Sequence, residues 1–288
     1  MRKRAILFAG LFIFSFLAFA AATPMSPLNV PRLSFSNTAY GSLNWAGYAE
    51  TSGTYSSVSS SWQVPTVSNT TSGYSSAWIG IGGFSGNSVI QIGTSQDCLS
   101  GSTTAGERAY HGFIQLQALP SAIVIDNKPS NPGNSGNSGG KKGSSSSCTP
   151  NYYAWWELYP QNAEQQISNF AVNPGDDITS SIINNNDGSW TLTIKDINTG
   201  KTFSTIQTPN FSPDLGSAEA IIERPALCNP HSCKLTSLAD FGAINFTGTT
   251  AGTLFDSSAD SITMVENNGA PLATPGPMNN GDFTVIRN

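Results

Sequence analysis

Two acidic residues and one amide occur in segments that otherwise have the composition of buried β-strands. Residues 217–225 read Ser-Ala-Glu-Ala-Ile-Ile-Glu-Arg-Pro, and the side-chain period of two in a strand places Glu219 and Glu223 on one face. Residues 89–93, Val-Ile-Gln-Ile-Gly, present Gln91 in similar surroundings. Acidic side chains are depleted in strands and are rarely buried without a partner, so these positions indicate a functional site.

A carboxylate and a neutral amide that meet on one sheet face can hydrolyse an amide bond. Partial burial raises the pKa of a Glu toward the mildly acid range, where its carboxylate can take a proton from water and return it to a leaving amine. A Gln side-chain NH₂ group is uncharged at every pH and can hydrogen-bond the developing oxyanion, an effect worth about 3 kcal/mol in other hydrolases. This chemistry needs neither a metal nor a cofactor, and we expect none.

Several segments, in order along the chain, resemble the glutamic peptidases of the eqolisin family. Asn-Trp-Ala-Gly-Tyr at 44–48 resembles the family's Asn-Trp-Gly-Gly, and Ala-Trp-Ile-Gly-Ile at 77–81 resembles its Ala-Trp-Val-Gly-Ile. Val-Ile-Gln-Ile-Gly at 89–93 resembles Ile-Leu-Gln-Thr-Gly. Tyr-Ala-Trp-Trp-Glu-Leu-Tyr-Pro at 153–160 resembles Asp-Ala-Trp-Tyr-Glu-Trp-Tyr-Pro, and Ala-Glu-Ala-Ile-Ile-Glu at 218–223 resembles Ala-Glu-Phe-Ile-Ile-Glu.

The resemblance implies that Glu223 is the general base and acid, and that Gln91 positions the water and stabilises the oxyanion. Strand parity puts Trp155, Glu157 and Tyr159 on one face, where the resemblance implies that they line the substrate cleft.

The resemblance further implies that Trp45 and Trp78 form subsite walls; packing in the sandwich core is the alternative for both. Glu157 either helps to hold Glu223 or Gln91, or has a structural role. Glu219 lies close enough to Glu223 along the strand to act on it by like charge.

The chain departs from the family pattern at two places. Gly82 stands where the family has an Asp, so any role of that Asp is absent or has moved, with Asp97 as a candidate. A long insertion separates Gln91 from Trp155 and is expected to affect specificity.

The rest of the sequence is typical of an all-β protein. Apolar residues make up 38% of the chain and charged residues 11%, and short β-like runs alternate with Gly, Asn, Pro and Ser. Residues 184–188, Asn-Asn-Asn-Asp-Gly, and residues 198–200, Asn-Thr-Gly, are hairpin turn signals. The predicted fold class is an antiparallel two-sheet β-sandwich, of the jelly-roll or concanavalin A-like kind.

The N-terminus has the features of a secretory signal. Three basic residues, Arg2, Lys3 and Arg4, precede an apolar run over 5–20 that ends in small residues. We predict a signal peptide over 1–22, a short propeptide or N-terminal arm over 23–40, and a sandwich domain over 41–288 with a flexible insertion around 99–149. An uncleaved membrane anchor is the alternative, although the apolar run is short for a span.

Signal cleavage would leave 10 Lys and Arg against 18 Asp and Glu, a formal net charge of −8. An acidic chain that is poor in basic residues is unsuited to nucleic acid. We therefore expect a secreted, extracellular monomer that acts on polypeptide substrates and does not bind the membrane after cleavage.

Four cysteines, an even number, predict two disulfides in a secreted chain. Cys228 and Cys233 would close a small loop, which leaves Cys98 and Cys148 to pair across the insertion. A metal site that uses His231 between Cys228 and Cys233 is the alternative, and it lacks a second cluster of ligands.

Two other functions are compatible with a β-sandwich that carries aromatic and acidic residues. A carbohydrate-binding module would use its Trp and Tyr side chains to stack sugars. A jelly-roll glycoside hydrolase would use Glu157 and Glu223 as paired carboxylates.

Overall fold

A computed structural model describes residues 39–100, 108–110, 116–117, 147–229 and 232–288. The predicted signal peptide, residues 23–38 and most of the insertion lie outside the described residues. The described parts of the chain form strands, turns and loops, and none of them is a helix that could cross a bilayer.

The strands are numbered in chain order. The first ten are β1 (Ala39–Ser42), β2 (Trp45–Glu50), β3 (Ser57–Gln63), β4 (Ser76–Ile81), β5 (Val89–Leu99), β6 (Arg108–Tyr110), β7 (Leu116–Gln117), β8 (Thr149–Tyr159), β9 (Gln165–Gln166) and β10 (Asp177–Asn184). The next ten are β11 (Trp190–Asp196), β12 (Thr202–Gln207), β13 (Ala218–Glu223), β14 (Ala226–Asn229), β15 (Ser232–Leu235), β16 (Ala243–Ala251), β17 (Thr253–Leu254), β18 (Asp260–Val265), β19 (Pro271–Pro275) and β20 (Phe283–Arg287).

The strand pairing builds two antiparallel layers that share β18. Sheet I has the order β9-β8-β5-β4-β13-β2-β18, and β1 extends it as a parallel neighbour of β18. Sheet II has the order β12-β11-β10-β3-β16-β20-β19 and meets the far end of β18 through β19. The predicted all-β, two-sheet antiparallel sandwich is therefore confirmed.

The main hydrophobic core lies between the two sheets because each strand alternates its side chains between two faces. In β13, for example, Ala218, Ala220 and Ile222 belong to this core, whereas Ile221 belongs to a second cluster. Large core residues from sheet II are Trp62, Ile182, Leu192 and Phe246. Alternation thus leaves Glu219, Ile221 and Glu223 on the face of sheet I that is turned away from sheet II, here called the outer face.

The predicted turn signals lie at two hairpins of sheet II. In the β10–β11 connection, Asn186 and Gly188 have φ values of 61° and 87°. In the β11–β12 connection, Gly200 has a φ of 74°. Asn and Gly tolerate this left-handed region best, which explains why both turns were recognisable in the sequence.

Both disulfides of the structure tie ordered strands together. Cys98, near the end of β5, is bonded to Cys148, which directly precedes β8, so the bridge closes the base of the insertion. Cys228 and Cys233 are bonded across the β14–β15 hairpin. The described backbone of the insertion pairs β6 with β14 and β7 with β1. The insertion is thereby attached beside the ends of β13 and β2.

Gly93 gives a test of how tightly sheet I is packed under its outer face. A Cβ atom at Gly93 would lie 2.3 Å from the Ala77 carbonyl oxygen and 2.5 Å from the Trp78 Cβ. We expect Gly93→Ala to lower the free energy of unfolding by about 3 kcal/mol, because the clash involves backbone atoms. Urea unfolding measures this loss. Gly276→Ala is the matched control, since its nearest contact would be 3.4 Å away, and an equal loss in both variants would contradict the explanation.

Candidate active site

The outer face of sheet I carries a row of polar side chains across four neighbouring strands. Register aligns Glu157 on β8 with Gln91 on β5, Gln91 with Gly80 on β4, and Gly80 with Glu219 on β13. Gln91, Glu157 and Glu219 are each 0% exposed. Three polar groups buried in one row of an otherwise apolar sheet require a physical explanation, because burial costs free energy unless the groups are satisfied.

Glu223 lies on the same face, four residues further along β13, and is also 0% exposed. Its Oε2 accepts a hydrogen bond from the Trp78 Nε1 at 2.9 Å, and its Oε1 accepts one from the Asn44 Nδ2 at 3.1 Å. The Ser42 hydroxyl in turn donates to the Asn44 Oδ1 at 3.1 Å, which fixes the orientation of the Asn44 amide. Both contacts to Glu223 come from N–H donors, and an ionised carboxylate can accept both.

Two glycines set the position of the Trp78 ring. A Cβ at Gly80 would lie 2.7 Å from the Trp78 Cζ3, and one at Gly93 would lie 2.5 Å from the Trp78 Cβ. The Trp78 residue therefore occupies the space that side chains at these positions would need, with its ring at Gly80 and its Cβ at Gly93. With its ring held in this way, Trp78 directs its indole N–H at Glu223.

Gln91 is held from the opposite side by Glu157. The Gln91 Nε2 donates to the Glu157 Oε2 at 3.3 Å. The Gln91 Oε1 has no hydrogen-bond partner among the described residues. The amide is thus oriented through one of its two N–H bonds, and the second N–H can act on another group.

Gln91 and Glu223 face the same side of the sheet without being cross-strand neighbours. Glu223 is aligned with Ser76 on β4, and Ser76 is aligned with Ser95 on β5. The two functional side chains are therefore two strands apart and four residues apart in register, about 10 Å across and about 13 Å along a flat sheet.

The predicted substrate-binding residues also lie on this face. Trp45, Trp78 and Trp155 are 0% exposed and belong to the second apolar cluster, outside the core between the sheets. The Trp45 and Trp78 rings pack edge to face at a centroid distance of 4.9 Å. Glu157 and Tyr159 lie two and four residues after Trp155 along β8, so the side chains of all three lie on the same face of the strand. Trp156 and Leu158, with the opposite parity, pack against the core between the sheets.

A loop folds over the outer face. Phe84, from the β4–β5 connection, is 2% exposed and belongs to the same cluster as the three tryptophans. Tyr40, on β1, packs edge to face on Phe84 at 5.0 Å. Gly82 and Gly83 begin this loop with φ values of 88° and 100°, a conformation that favours glycine. The face that carries the polar groups is consequently covered by the protein itself.

Asp214 anchors this loop and occupies the space beside Gly82. A Cβ at Gly82 would lie 2.5 Å from the Asp214 carbonyl oxygen, and the Gly83 N–H donates to the Asp214 Oδ2 at 3.4 Å. Asp97, the sequence-based candidate for the missing family Asp, lies at the far end of β5, where its Oδ1 accepts a hydrogen bond from the Ser75 N–H at 3.2 Å. An acidic residue does lie next to position 82, but it comes from the loop that precedes β13.

Glu219 has the least compensated environment of the carboxyls on this face. Neither of its oxygens has a hydrogen-bond partner among the described residues. Burial raises the pKa of the Glu219 carboxyl well above its ordinary value; the Ser217 hydroxyl acts in the opposite direction, and the Asp214 carboxylate adds to the increase. Glu219 therefore remains protonated at pH values where an exposed Glu is ionised.

Sequence reasoning missed several residues that build the site. Ser42 and Phe84 stand in loop or edge segments without a local signal, and Asp214 acts from a loop far from Gly82 in the sequence. Asn44 stands in a recognised segment, but only the structure assigns it a contact with Glu223. Within the described ranges, no three His, Cys, Asp or Glu residues cluster as metal ligands, and His231 lies outside those ranges.

Comparison with known proteins identifies related sequences and folds. The sequence profile of the Peptidase A4 family matches residues 43–135 and 122–287. No curated protein is significantly similar to the chain.

Three solved structures share the fold. Scytalido-glutamic peptidase with a transition state analog inhibitor has 21% identity and a TM-score of 0.60, over 85% of this chain and 98% of that one. SCP-B, an Eqolisin family member in complex with the tripeptide Ala-Ile-His, has 20% identity and a TM-score of 0.56, over 85% and 98%. Aspergilloglutamic peptidase from Aspergillus niger has 21% identity and a TM-score of 0.50, over 75% and 99%.

Glu219 predicts a specific pH dependence of stability. Because its folded-state pKa is raised, its contribution to stability is complete below its ordinary value of 4.5 and is lost as the pH rises toward the folded-state pKa. In that window the free energy of unfolding should fall by up to about 1.4 kcal/mol per pH unit from this one group. Urea unfolding of the wild type and of Glu219→Gln across this range measures the difference.

The Glu219→Gln variant should lose this part of the pH dependence, since Gln does not titrate. Asp187→Asn is the control, because Asp187 lies in the exposed β10–β11 turn and its pKa is lowered by hydrogen bonds from Ser189. Parallel stability curves for wild type and Glu219→Gln would contradict a raised pKa.

Proposed function

The chain belongs to the Peptidase A4 family, and we propose that it is a secreted, acid-acting endopeptidase in which Glu223 activates water and Gln91 stabilises the oxyanion. As a member of this family the protein is a peptidase, and its substrates are polypeptides. The observation that carries the proposed mechanism is the placement of Glu223 and Gln91 on the same buried face of sheet I, each held by a different set of partners.

The proposed reaction begins with a water molecule between the two groups. The Glu223 carboxylate takes a proton from this water while the water oxygen attacks the peptide carbonyl carbon. The carbonyl electron pair moves to its oxygen, where the free N–H of Gln91 donates a hydrogen bond. Glu223 then returns the proton to the peptide nitrogen, the C–N bond breaks, and the carboxylate is regenerated.

The surrounding contacts support these roles. The Trp78 and Asn44 donors fix both oxygens of Glu223, so little reorganisation of the base is needed during the reaction. Glu157 holds Gln91 by its other N–H and so determines where the amide points. A carboxylate base that requires no metal fits an enzyme that works in acid, where metal-bound histidines become protonated.

Substrate binding requires a change at the covered face. Gly82 and Gly83 give the β4–β5 loop two backbone positions that can absorb a rotation, and displacement of Phe84 would open the aromatic cluster. In this proposal Trp45, Trp155 and Tyr159 then contact substrate side chains.

The sequence alone also allowed a carbohydrate-binding module and a glycoside hydrolase. Membership of the Peptidase A4 family favours neither, and the partner of Glu157 is the Gln91 amide, a group with no role in a glycosidase carboxylate pair.

The mechanism predicts the effect of two substitutions on proteolysis. Cleavage of a denatured protein should be confined to acid pH in the wild type. Gln91→Ala should lower kcat by about 10²- to 10³-fold, the usual effect of losing an oxyanion donor. Glu223→Gln should lower it at least as far, because the base is lost.

The assay follows peptide release between about pH 2 and 7, with thermal unfolding to establish that each variant folds. Gln207→Ala, at a half-buried position of sheet II, and Asp187→Asn, in the exposed β10–β11 turn, serve as controls and should cleave like the wild type. Full activity of Glu223→Gln would exclude the mechanism, and activity lost only in Glu157→Gln would point to another carboxylate.

Secretion is a separate prediction. Expression in a secreting host should release a protein whose N-terminus lies after the apolar run over 5–20, because small residues follow that run. N-terminal sequencing or intact mass of the medium fraction gives the cleavage site. A product retained in the membrane fraction with Met1 intact would instead support an anchor.

A further inference from the structure

Glu219 is a buried carboxyl that the proposed mechanism does not use. It is 0% exposed and lies on the outer face of sheet I, in the same row as Gln91. Its neighbours in that row are Gly80 on β4 and Ala49 on β2, neither of which can form a side-chain hydrogen bond. The row itself therefore offers the Glu219 carboxyl no side-chain partner on either neighbouring strand.

The local polar groups do not satisfy Glu219. The Ser217 hydroxyl and the Phe84 N–H lie near enough to Glu219 to oppose part of the rise in its pKa. The Phe84 N–H nevertheless donates to the Ser217 Oγ at 3.4 Å, and neither Glu219 oxygen accepts a hydrogen bond from the described residues. Asp214 approaches from the preceding loop, and its charge opposes ionisation of Glu219. Asp260 lies beyond Ala49 in the row, where it accepts a hydrogen bond from the Thr51 hydroxyl. A buried polar group left in this state requires a ligand or a strained arrangement to account for it.

Other unsatisfied atoms lie on the same face. Among the described residues, the Trp45 Nε1 and the Gln91 Oε1 also lack hydrogen-bond partners, and both side chains are 0% exposed. A peptide backbone offers carbonyl acceptors and N–H donors in alternation. A protonated Glu219 and the Trp45 indole can donate to its carbonyls, and the Gln91 oxygen can accept from an N–H.

We propose that Glu219, in its protonated form, is a further substrate-binding residue that donates a hydrogen bond to a backbone carbonyl of the bound peptide. This inference rests on the proposed function, since it requires that the substrate lie on the outer face. The two glutamates of β13 then have different tasks, because Glu223 acts as an ionised base and Glu219 as a neutral donor. Strand parity puts both on one face, and their different partners keep the tasks apart.

The same residue would set the alkaline limit of activity. Burial raises the pKa of Glu219, and the charge of Asp214 increases it further, so the donor persists through the acid range. When Glu219 ionises, it loses its only proton and presents a negative charge to the substrate carbonyl. Activity should then fall with rising pH even though Glu223 remains a competent base. The other groups that face Glu219, from β4, β2 and the β4–β5 loop, do not titrate.

The test is kcat and KM measured against pH for the wild type, Glu219→Gln and Glu219→Leu. Gln keeps an N–H donor and cannot ionise, so the alkaline limb should move up by at least about one pH unit while KM in acid stays within about threefold of the wild type. Leu removes the donor at similar volume, so KM should rise about tenfold at the optimum with a much smaller effect on kcat. Asp260→Asn is the matched control, a buried carboxyl in the same row that already has a partner, and its alkaline limb should coincide with that of the wild type.

Two results would overturn the inference while the proposed function stands. The first is an alkaline limb of Glu219→Gln that coincides with that of the wild type. The second is an unchanged KM in a folded Glu219→Leu variant. Either result contradicts the inference alone, provided that Glu223→Gln is inactive in the same assay. If Glu219→Leu does not fold, the pH profile of Glu219→Gln alone decides. Activity in Glu223→Gln would instead reject the proposed function on its own terms.

Discussion

The site depends on β13, whose side chains alternate strictly between the two faces of sheet I. Ladders with β2 on one side and β4 on the other fix which residues of β13 face the core, and the Ala and Ile side chains at 218, 220 and 222 are too apolar to face water. A shift of one residue in this register would bury Glu219 and Glu223 between the sheets and expose the core side chains. The free energy gained by burying the apolar side chains of β13 thus holds the carboxyls of Glu219 and Glu223 on the outer face. Burial of either carboxyl there would be unfavourable by itself.

Packing of one tryptophan converts this placement into a usable geometry. Gly80, two residues further along β4, leaves room for the Trp78 ring, and Gly93 on β5 leaves room for the Trp78 Cβ. The indole can then direct its N–H at Glu223. The same ring covers Gly80, between Gln91 and Glu219 in the row, so no large side chain fills that space. Two small residues therefore fix the orientation of the indole that donates to Glu223. A methyl group added at either glycine would therefore disturb the geometry around Glu223 as well as lower the stability of the fold.

Much of the fold was predictable from local signals, and the contacts of the site were not. The hairpins around Asn186 and Gly200 were recognisable because few residues other than Asn and Gly tolerate the left-handed backbone conformation of such turns. Parity correctly separated Trp155 from Trp156, since it depends only on strand geometry. The pairing of Gln91 with Glu157 depends on the register of strands far apart in sequence, which no local pattern specifies.

The covered outer face keeps the carboxyls at 157, 219 and 223 away from solvent. Among them, burial raises the pKa of the Glu219 carboxyl well above its ordinary value. Glu223 accepts hydrogen bonds from two N–H donors, whereas neither Glu219 oxygen accepts a hydrogen bond from the described residues, although only four residues of one strand separate the two carboxyls. Water that entered this face would solvate both groups and reduce the difference between them. The Phe84 loop and the aromatic cluster therefore do more than exclude solvent, because they preserve the different environments of two carboxyls on a single strand.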